Sequence, residues 1–213
     1  MNEQQGKRLL ERTRIIAIVR GVSEEHILGV AEALLEGGIP VMEVTLNTPG
    51  APAMIGKLRE RFGERMYIGA GTVLDKEDAR KAVDAGALFL VTPNTDEEVI
   101  RYGVERGLPV FPGALTPTEI VRAWKAGAQA VKIFPSSSLG LDYLKELQGP
   151  LGHIPMIAVG GINAENARRF LEIGCYALGV GSSLFNKHEI ARGNYESVAE
   201  RARSIVQRVQ QHP

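Results

Sequence analysis

Cysteine is almost missing. The 213-residue chain has one, Cys175, so an intramolecular disulfide framework is excluded. An excess of charge is missing too: 25 Lys and Arg balance 25 Asp and Glu. Bulk attraction to nucleic acid or to an anionic membrane surface therefore has no basis. No apolar run approaches the roughly 18–20 residues that cross a bilayer. The opening stretch, MNEQQGKRLLERTR, is polar and lacks the apolar centre of a signal peptide. The expectation is a soluble, cytoplasmic protein with no nucleic-acid partner and no membrane partner. His26, His153, His188 and His212 are scattered, without the spacing of a metal site. Trp124 and Tyr102 fall at helical positions, and Cys175 follows a glycine; all three read as packing residues. Linkers and low-complexity segments are absent, so residues 1–213 are expected to form one domain.

What is present is a repeated grammar. A helix-period segment ends at a glycine, and a short apolar run follows, as in RKAVDAGALFLV, VRAWKAGAQAVKIF and RRFLEIGCYALGV. The glycines at 38, 63, 86, 107, 127 and 174 suit left-handed helix ends, where a Cβ is penalised. Eight runs read as strands: 15–20, 40–45, 66–70, 88–91, 109–111, 129–133, 155–159 and 177–181. Seven helices lie between them, one at 3–13 precedes them and one at about 194–210 follows. Strict alternation implies a parallel sheet covered by helices. Eight such units imply closure into a (β/α)8 TIM barrel with an extra N-terminal helix. The competing architecture is an open doubly wound sheet, but no strand-order reversal is evident.

Side chains of a barrel strand alternate between the interior and the helix layer. In VMEVT, Met42 and Val44 fall on the helix side, while Val41, Glu43 and Thr45 point in. In AVKIF, Val131 and Ile133 fall outside, while Ala130, Lys132 and Phe134 point in. Arg20 shares parity with Ile16 and Ile18. The charged residues thus gather on the inner parity near the C-terminal strand ends, where barrel enzymes do their chemistry. A lysine is almost never fully buried unless paired or used. Lys132 and Glu43 could form a structural ion pair. Desolvation also disfavours the ammonium, and a neutral amine can attack a carbonyl to form a Schiff base. Glu43, poised by burial, would be the general acid/base. Arg20 could clasp a substrate carboxylate or pair with a surface acid.

Glycine-rich turns add a third signal. Gly160 and Gly161 follow the seventh run; Gly179, Gly181, Ser182 and Ser183 end the eighth. Turns there bring backbone N–H groups to an anion, the common phosphate site of barrels. They would also serve as ordinary tight turns. GAGT at 69–72 is a weaker signal of the same kind.

Taken together, AIVRG (17–21), MEVTLNTP (42–49), IGAGTV (68–73), VTPN (91–94), VKIFPSS (131–137), AVGGIN (158–163) and GVGSSL (179–184) resemble the 2-keto-3-deoxy-6-phosphogluconate (KDPG) and 4-hydroxy-2-oxoglutarate (KHG) aldolase family. These are class I aldolases, and the resemblance covers about residues 5–205. It implies cleavage of 2-dehydro-3-deoxy-6-phosphogluconate to pyruvate and glyceraldehyde 3-phosphate, or of 4-hydroxy-2-oxoglutarate to pyruvate and glyoxylate. It also implies a homotrimer with no metal and no other cofactor. Lys132 would be the Schiff-base lysine and Glu43 the acid/base. Arg20 would contact the substrate carboxylate, Thr72 and Pro93 would line the pyruvate site, and Phe134 and Asn47 would also contact the substrate. Gly160, Gly161, Gly181 and Ser182 would hold the phosphate. Two departures point elsewhere. Asn47 stands where gluconate-type members often carry an arginine, and Val159 stands where many relatives have threonine. LNTP and KIFPSS are closer to the 2-dehydro-3-deoxy-6-phosphogalactonate branch, the alternative substrate. Two other readings are a phosphosugar isomerase or synthase on the same barrel and a non-catalytic barrel that binds a sugar-acid phosphate.

Overall fold

The computed structural model describes residues 1–210; His212 lies outside them. The strands are β1 (Ile15–Val19), β2 (Val41–Thr45), β3 (Tyr67–Gly71), β4 (Leu90–Val91), β5 (Val110–Phe111), β6 (Gly113–Ala114), β7 (Val131–Ile133), β8 (Met156–Val159) and β9 (Ala177–Val180). All pair in parallel, in the order β5-β4-β3-β2-β1-β9-β8-β7-β6. The two ends of that order, β5 and β6, are consecutive in the chain and are parted only by Pro112. They are two halves of one fifth barrel strand. Val110 and Phe111 pair with β4, and Gly113 and Ala114 pair with β7, so the sheet closes on itself.

The break has a local cause. Proline cannot donate to a ladder, but the Pro112 carbonyl still accepts from Lys132 N at 2.8 Å. Beyond it, Gly113 N donates to Thr92 Oγ1 at 3.2 Å. The ladder is interrupted by one donor and resumes.

Helices α2 (Ile27–Glu36), α3 (Ala51–Phe62), α4 (Lys76–Asp84), α5 (Glu97–Val104), α6 (Pro117–Lys125), α7 (Ser136–Leu151) and α8 (Ala167–Glu172) connect successive barrel strands. The first helix, α1, runs Glu3–Thr13 as expected, and α10 (Glu196–Gln210) is the last element of the described residues. A short α9 (Lys187–Ala191), which the periodicity does not reveal, precedes α10. Five of the six helix-end glycines have left-handed φ; Gly63 has φ −58° and continues right-handed instead.

Strand parity divides the apolar residues into two cores. Met42, Val44, Val131 and Ile133 join the outer core against the helices. Val41, Tyr67, Phe89, Phe111, Ala130 and Ile157 fill the barrel axis. Tyr67 and Phe89 pack with centroids 4.7 Å apart, and Phe89 and Phe111 with 5.6 Å. Each buried large side chain contributes about 1.5–3 kcal/mol by leaving water. Helix α1 covers the N-terminal end and adds Leu10 to this inner core. It can lie close because Gly6 is bare: a Cβ there would approach Tyr67 Cγ to 2.7 Å. A cavity remains beside α1 at the N-terminal end, and space along the axis also opens at the C-terminal ends of the strands.

Candidate active site

Two buried charged groups meet in that space. Lys132, central in β7, is 5 % exposed, and Glu43, central in β2, is 1 % exposed. Both line a small chamber with Ile18, Phe111 and Val159. No ion pair joins them among the described residues, and Glu43 Oε2 is buried with no hydrogen-bond partner. The simple structural salt bridge is therefore not what occupies this interior.

Burial controls both groups. It pushes the Glu43 carboxyl up to about 7, against the opposing pull of Lys132 and Arg20. It pushes the Lys132 amine down, opposed by Glu43 and assisted by Arg20. Each shift favours the neutral form, because a low-dielectric surround penalises the charged one. A neutral amine beside a protonated carboxyl is a nucleophile beside an acid.

This has a consequence for stability. A carboxyl whose folded pKa is raised binds its proton more tightly in the folded state. Its contribution is complete below the ordinary carboxylate pKa and is lost as pH rises through about 7. In a Lys132→Met variant, Glu43 loses the cation that draws its pKa down. The melting temperature of that variant should therefore go on falling to a higher pH than that of the natural chain, past about 7. Adding Glu43→Gln should flatten this part of the slope. Thermal unfolding across pH 5–9 checks both; an identical slope with and without Glu43 contradicts it.

A glycine makes room for the carboxylate. At Gly71 a Cβ would land on Glu43 Oε1 and stand 2.6 Å from Cδ. Gly71→Ala should therefore displace the carboxylate and lower kcat on the order of 10²-fold, the scale of a 1 Å misplacement. Amine trapping by a keto acid should survive. Steady-state kinetics and trapping on one preparation check this; unchanged kcat would show that Gly71 does not position Glu43.

Thr72, the next residue, sits at φ 55°, a strained conformation for a β-branched residue. Its neighbours hold it there. Leu46 N donates to Gly71 O at 2.8 Å, and Val73 N donates to Val91 O at 3.2 Å. Its hydroxyl faces Arg20, whose Nη2 donates to Thr72 Oγ1 at 3.4 Å.

Above the chamber a cavity of about 280 Å³ opens toward solvent. Arg20, Lys132, Phe134, Gly160, Gly161, Gly181 and Ser182 all line it. The Lys132 ammonium nitrogen lies 5.0 Å from the Phe134 ring centroid. Gly160 and Gly161 have φ 102° and 70°. A Cβ on Gly161 would meet Ser137 Cβ at 2.5 Å, so the turn after β8 packs directly on the start of α7. Ser136 ties the same elements together. Its Oγ donates to Ile133 O at 2.7 Å and accepts from Val159 N at 3.1 Å. The lysine strand and the glycine turn are thereby held in register.

Other expected residues stand apart. Asn47 is exposed and lines neither the chamber nor the cavity. Pro93 is half-buried and also outside both linings; its backbone packs against bare Gly113. Thr72 is also outside both linings and accepts from Arg20. The sequence pattern marks neither Gly71 nor Phe185 nor Lys187 as a site residue, although the last two line the cavity together with Ile18. Ile18 was legible by parity with Arg20; the other contacts arise from folding alone. Among the described residues, no three His, Cys, Asp or Glu side chains group as a metal would require. No helix of the described residues is long and apolar enough to cross a membrane.

The sequence matches the family model for KDPG and KHG aldolase over residues 7–201. It is 38 % identical over 193 residues to the 2-dehydro-3-deoxy-6-phosphogalactonate aldolase of Escherichia coli, covering 90 % of this chain and 92 % of the relative. It is 32 % identical over 205 residues to the 2-dehydro-3-deoxy-phosphogluconate aldolase of Pseudomonas aeruginosa, covering 96 % and 93 %. The fold superposes with a TM-score of 0.86 on KDPG aldolase from Legionella pneumophila with pyruvate captured as a covalent carbinolamine intermediate. That match is 29 % identical and covers 92 % of this chain and 96 % of the other.

Proposed function

The chain belongs to the KDPG and KHG aldolase family, and on that footing we propose that Lys132 and Glu43 carry a class I aldol cleavage of a 2-keto-3-deoxy-6-phosphosugar acid to pyruvate and glyceraldehyde 3-phosphate. The observation that supports it best is the pair itself: a small, mostly apolar chamber holding one amine and one unpartnered carboxyl.

The cycle starts from the form of the pair in which the amine is neutral and the carboxyl holds the proton. The Lys132 amine attacks C2 of the keto acid. Glu43 donates to the former carbonyl oxygen and takes a proton from the new ammonium, leaving a neutral carbinolamine. Glu43 then protonates the hydroxyl; water leaves, and a protonated imine forms. The resulting carboxylate takes the C4 hydroxyl proton as the C3–C4 bond breaks. The electron pair moves into the imine to give the enamine, and the aldehyde departs. Glu43 returns its proton to C3. Water, deprotonated by Glu43, attacks C2, and collapse of that carbinolamine releases pyruvate and the amine. One carboxyl serves every step because each donation is followed by an abstraction, and a pKa of about 7 makes both directions accessible at neutral pH.

Arg20 holds the substrate carboxylate in this reading, braced by Thr72. The turns at Gly160–Gly161 and Gly181–Ser182 receive the phosphate. A homotrimer and a cytoplasmic setting belong to the same proposal and rest on the family resemblance.

The 6-phosphogluconate derivative is one substrate reading and the 6-phosphogalactonate derivative the other. The second is favoured by the higher identity to the galactonate relative and by LNTP and KIFPSS. Pyruvate release coupled to lactate dehydrogenase decides, run on both phosphosugar acids and on 4-hydroxy-2-oxoglutarate. Pyruvate from either phosphosugar acid supports the aldolase. Binding without pyruvate from any of the three would favour the non-catalytic barrel.

A further inference from the structure

Lys187 opens α9, beyond the last barrel strand, where strand parity says nothing. Asn186 caps that turn, its Oδ1 accepting from His188 N at 3.0 Å. Lys187 then lines the cavity shared by Arg20, Gly160, Gly161 and Ser182. Its ammonium nitrogen lies 3.2 Å from where a Cβ of Gly21 would stand. The side chain therefore reaches across the residue that follows Arg20, over ground kept clear by a glycine. Among the described residues no carboxylate forms an ion pair with it. The cavity lining carries three basic side chains, Arg20, Lys132 and Lys187, and no acid.

Two of the three already have tasks: Lys132 bonds to carbon, and Arg20 meets the carboxylate. The proposed substrate has a second anionic group, a phosphate of about −1.5 to −2 charge. The glycine turns offer it N–H groups but no whole charge. Residue 159, where a hydroxyl could help, is valine. We propose that Lys187 is a specificity-determining residue that supplies the cation for the phosphate end of the substrate. This rests on the aldolase reading. The natural chain is thereby set to prefer a phosphorylated aldehyde over its unphosphorylated counterpart.

The test is condensation of pyruvate with D-glyceraldehyde 3-phosphate and, separately, with D-glyceraldehyde, in the natural chain, Lys187→Met and Lys187→Arg. Lys187→Met should raise KM for the phosphorylated aldehyde about 10- to 100-fold, the scale of a lost hydrogen bond to a charged group. KM for D-glyceraldehyde should not change, and Lys187→Arg should recover most of the loss. Exchange of the pyruvate methyl protons with deuterium needs only the amine and the acid/base, so it should be equal in all three. Calorimetric binding of glycerol 3-phosphate, which has no keto group, gives a readout independent of activity and should weaken by a similar factor in Lys187→Met. Equal affinity for glycerol 3-phosphate in the natural chain and Lys187→Met would overturn the assignment, as would an equal loss with both aldehydes. A natural chain that exchanges no pyruvate protons would instead overturn the aldolase reading, whatever Lys187 does.

Discussion

Lys132→Met should lower kcat for pyruvate release by on the order of 10⁴- to 10⁶-fold, the scale on which removing a covalent nucleophile acts. Methionine fits the chamber in length and carries no charge to desolvate, so the variant should still fold. Lys132→Arg separates charge from nucleophilicity. It keeps a cation near Glu43 but has no amine that can lose its proton near neutrality, and it should be as inactive as Lys132→Met. If Lys132→Arg kept substantial turnover, the residue would act as a charge and not as a nucleophile. Circular dichroism on each preparation, with the coupled assay, completes the comparison.

Glu43→Gln should lower kcat by about 10²- to 10⁴-fold, the range for one general acid/base. Glutamine has the shape of the carboxyl, so the pocket made by bare Gly71 still fits it. Pyruvate should still reach Lys132. The adduct should form slowly, because the proton for dehydration must come from water. The loss should therefore fall on kcat far more than on pyruvate binding. Full kcat in Glu43→Gln would place the acid/base elsewhere. The two substitutions act on one machine, so their effects should not add.

How much of this was readable in the sequence depends on how local the determining physics is. Alternation along a strand is local. It placed Glu43, Lys132 and Ile16 inside and Met42, Val44 and Val131 outside, as the two cores confirm. The glycines after β8 and β9 were also legible, since positive φ leaves few alternatives; Gly160 and Gly161 have it, and Gly160, Gly161 and Gly181 line the cavity. The sequence pattern ends the fifth strand before Pro112. In the structure it resumes at Gly113, because proline removes a single donor and its carbonyl still binds Lys132 N. Gly63 was expected to turn left-handed and does not, since a helix end tolerates either geometry at glycine. Gly71 and Lys187 were invisible for a different reason. Their roles come from proximity to Glu43 and Gly21, and no spacing along the chain encodes that. Asn47 and Pro93 carry motif resemblance, yet the fold leaves them outside the cavity lining.

The central claim is a covalent bond between Lys132 and the substrate's keto carbon. Incubation of the natural chain with pyruvate and borohydride, followed by peptide mass analysis, tests it directly. The predicted result is one reduced pyruvyl adduct, on the peptide that contains Lys132, with loss of activity in step with its formation. An active preparation that gives no adduct, or places it on Lys187 or another lysine, would contradict the claim.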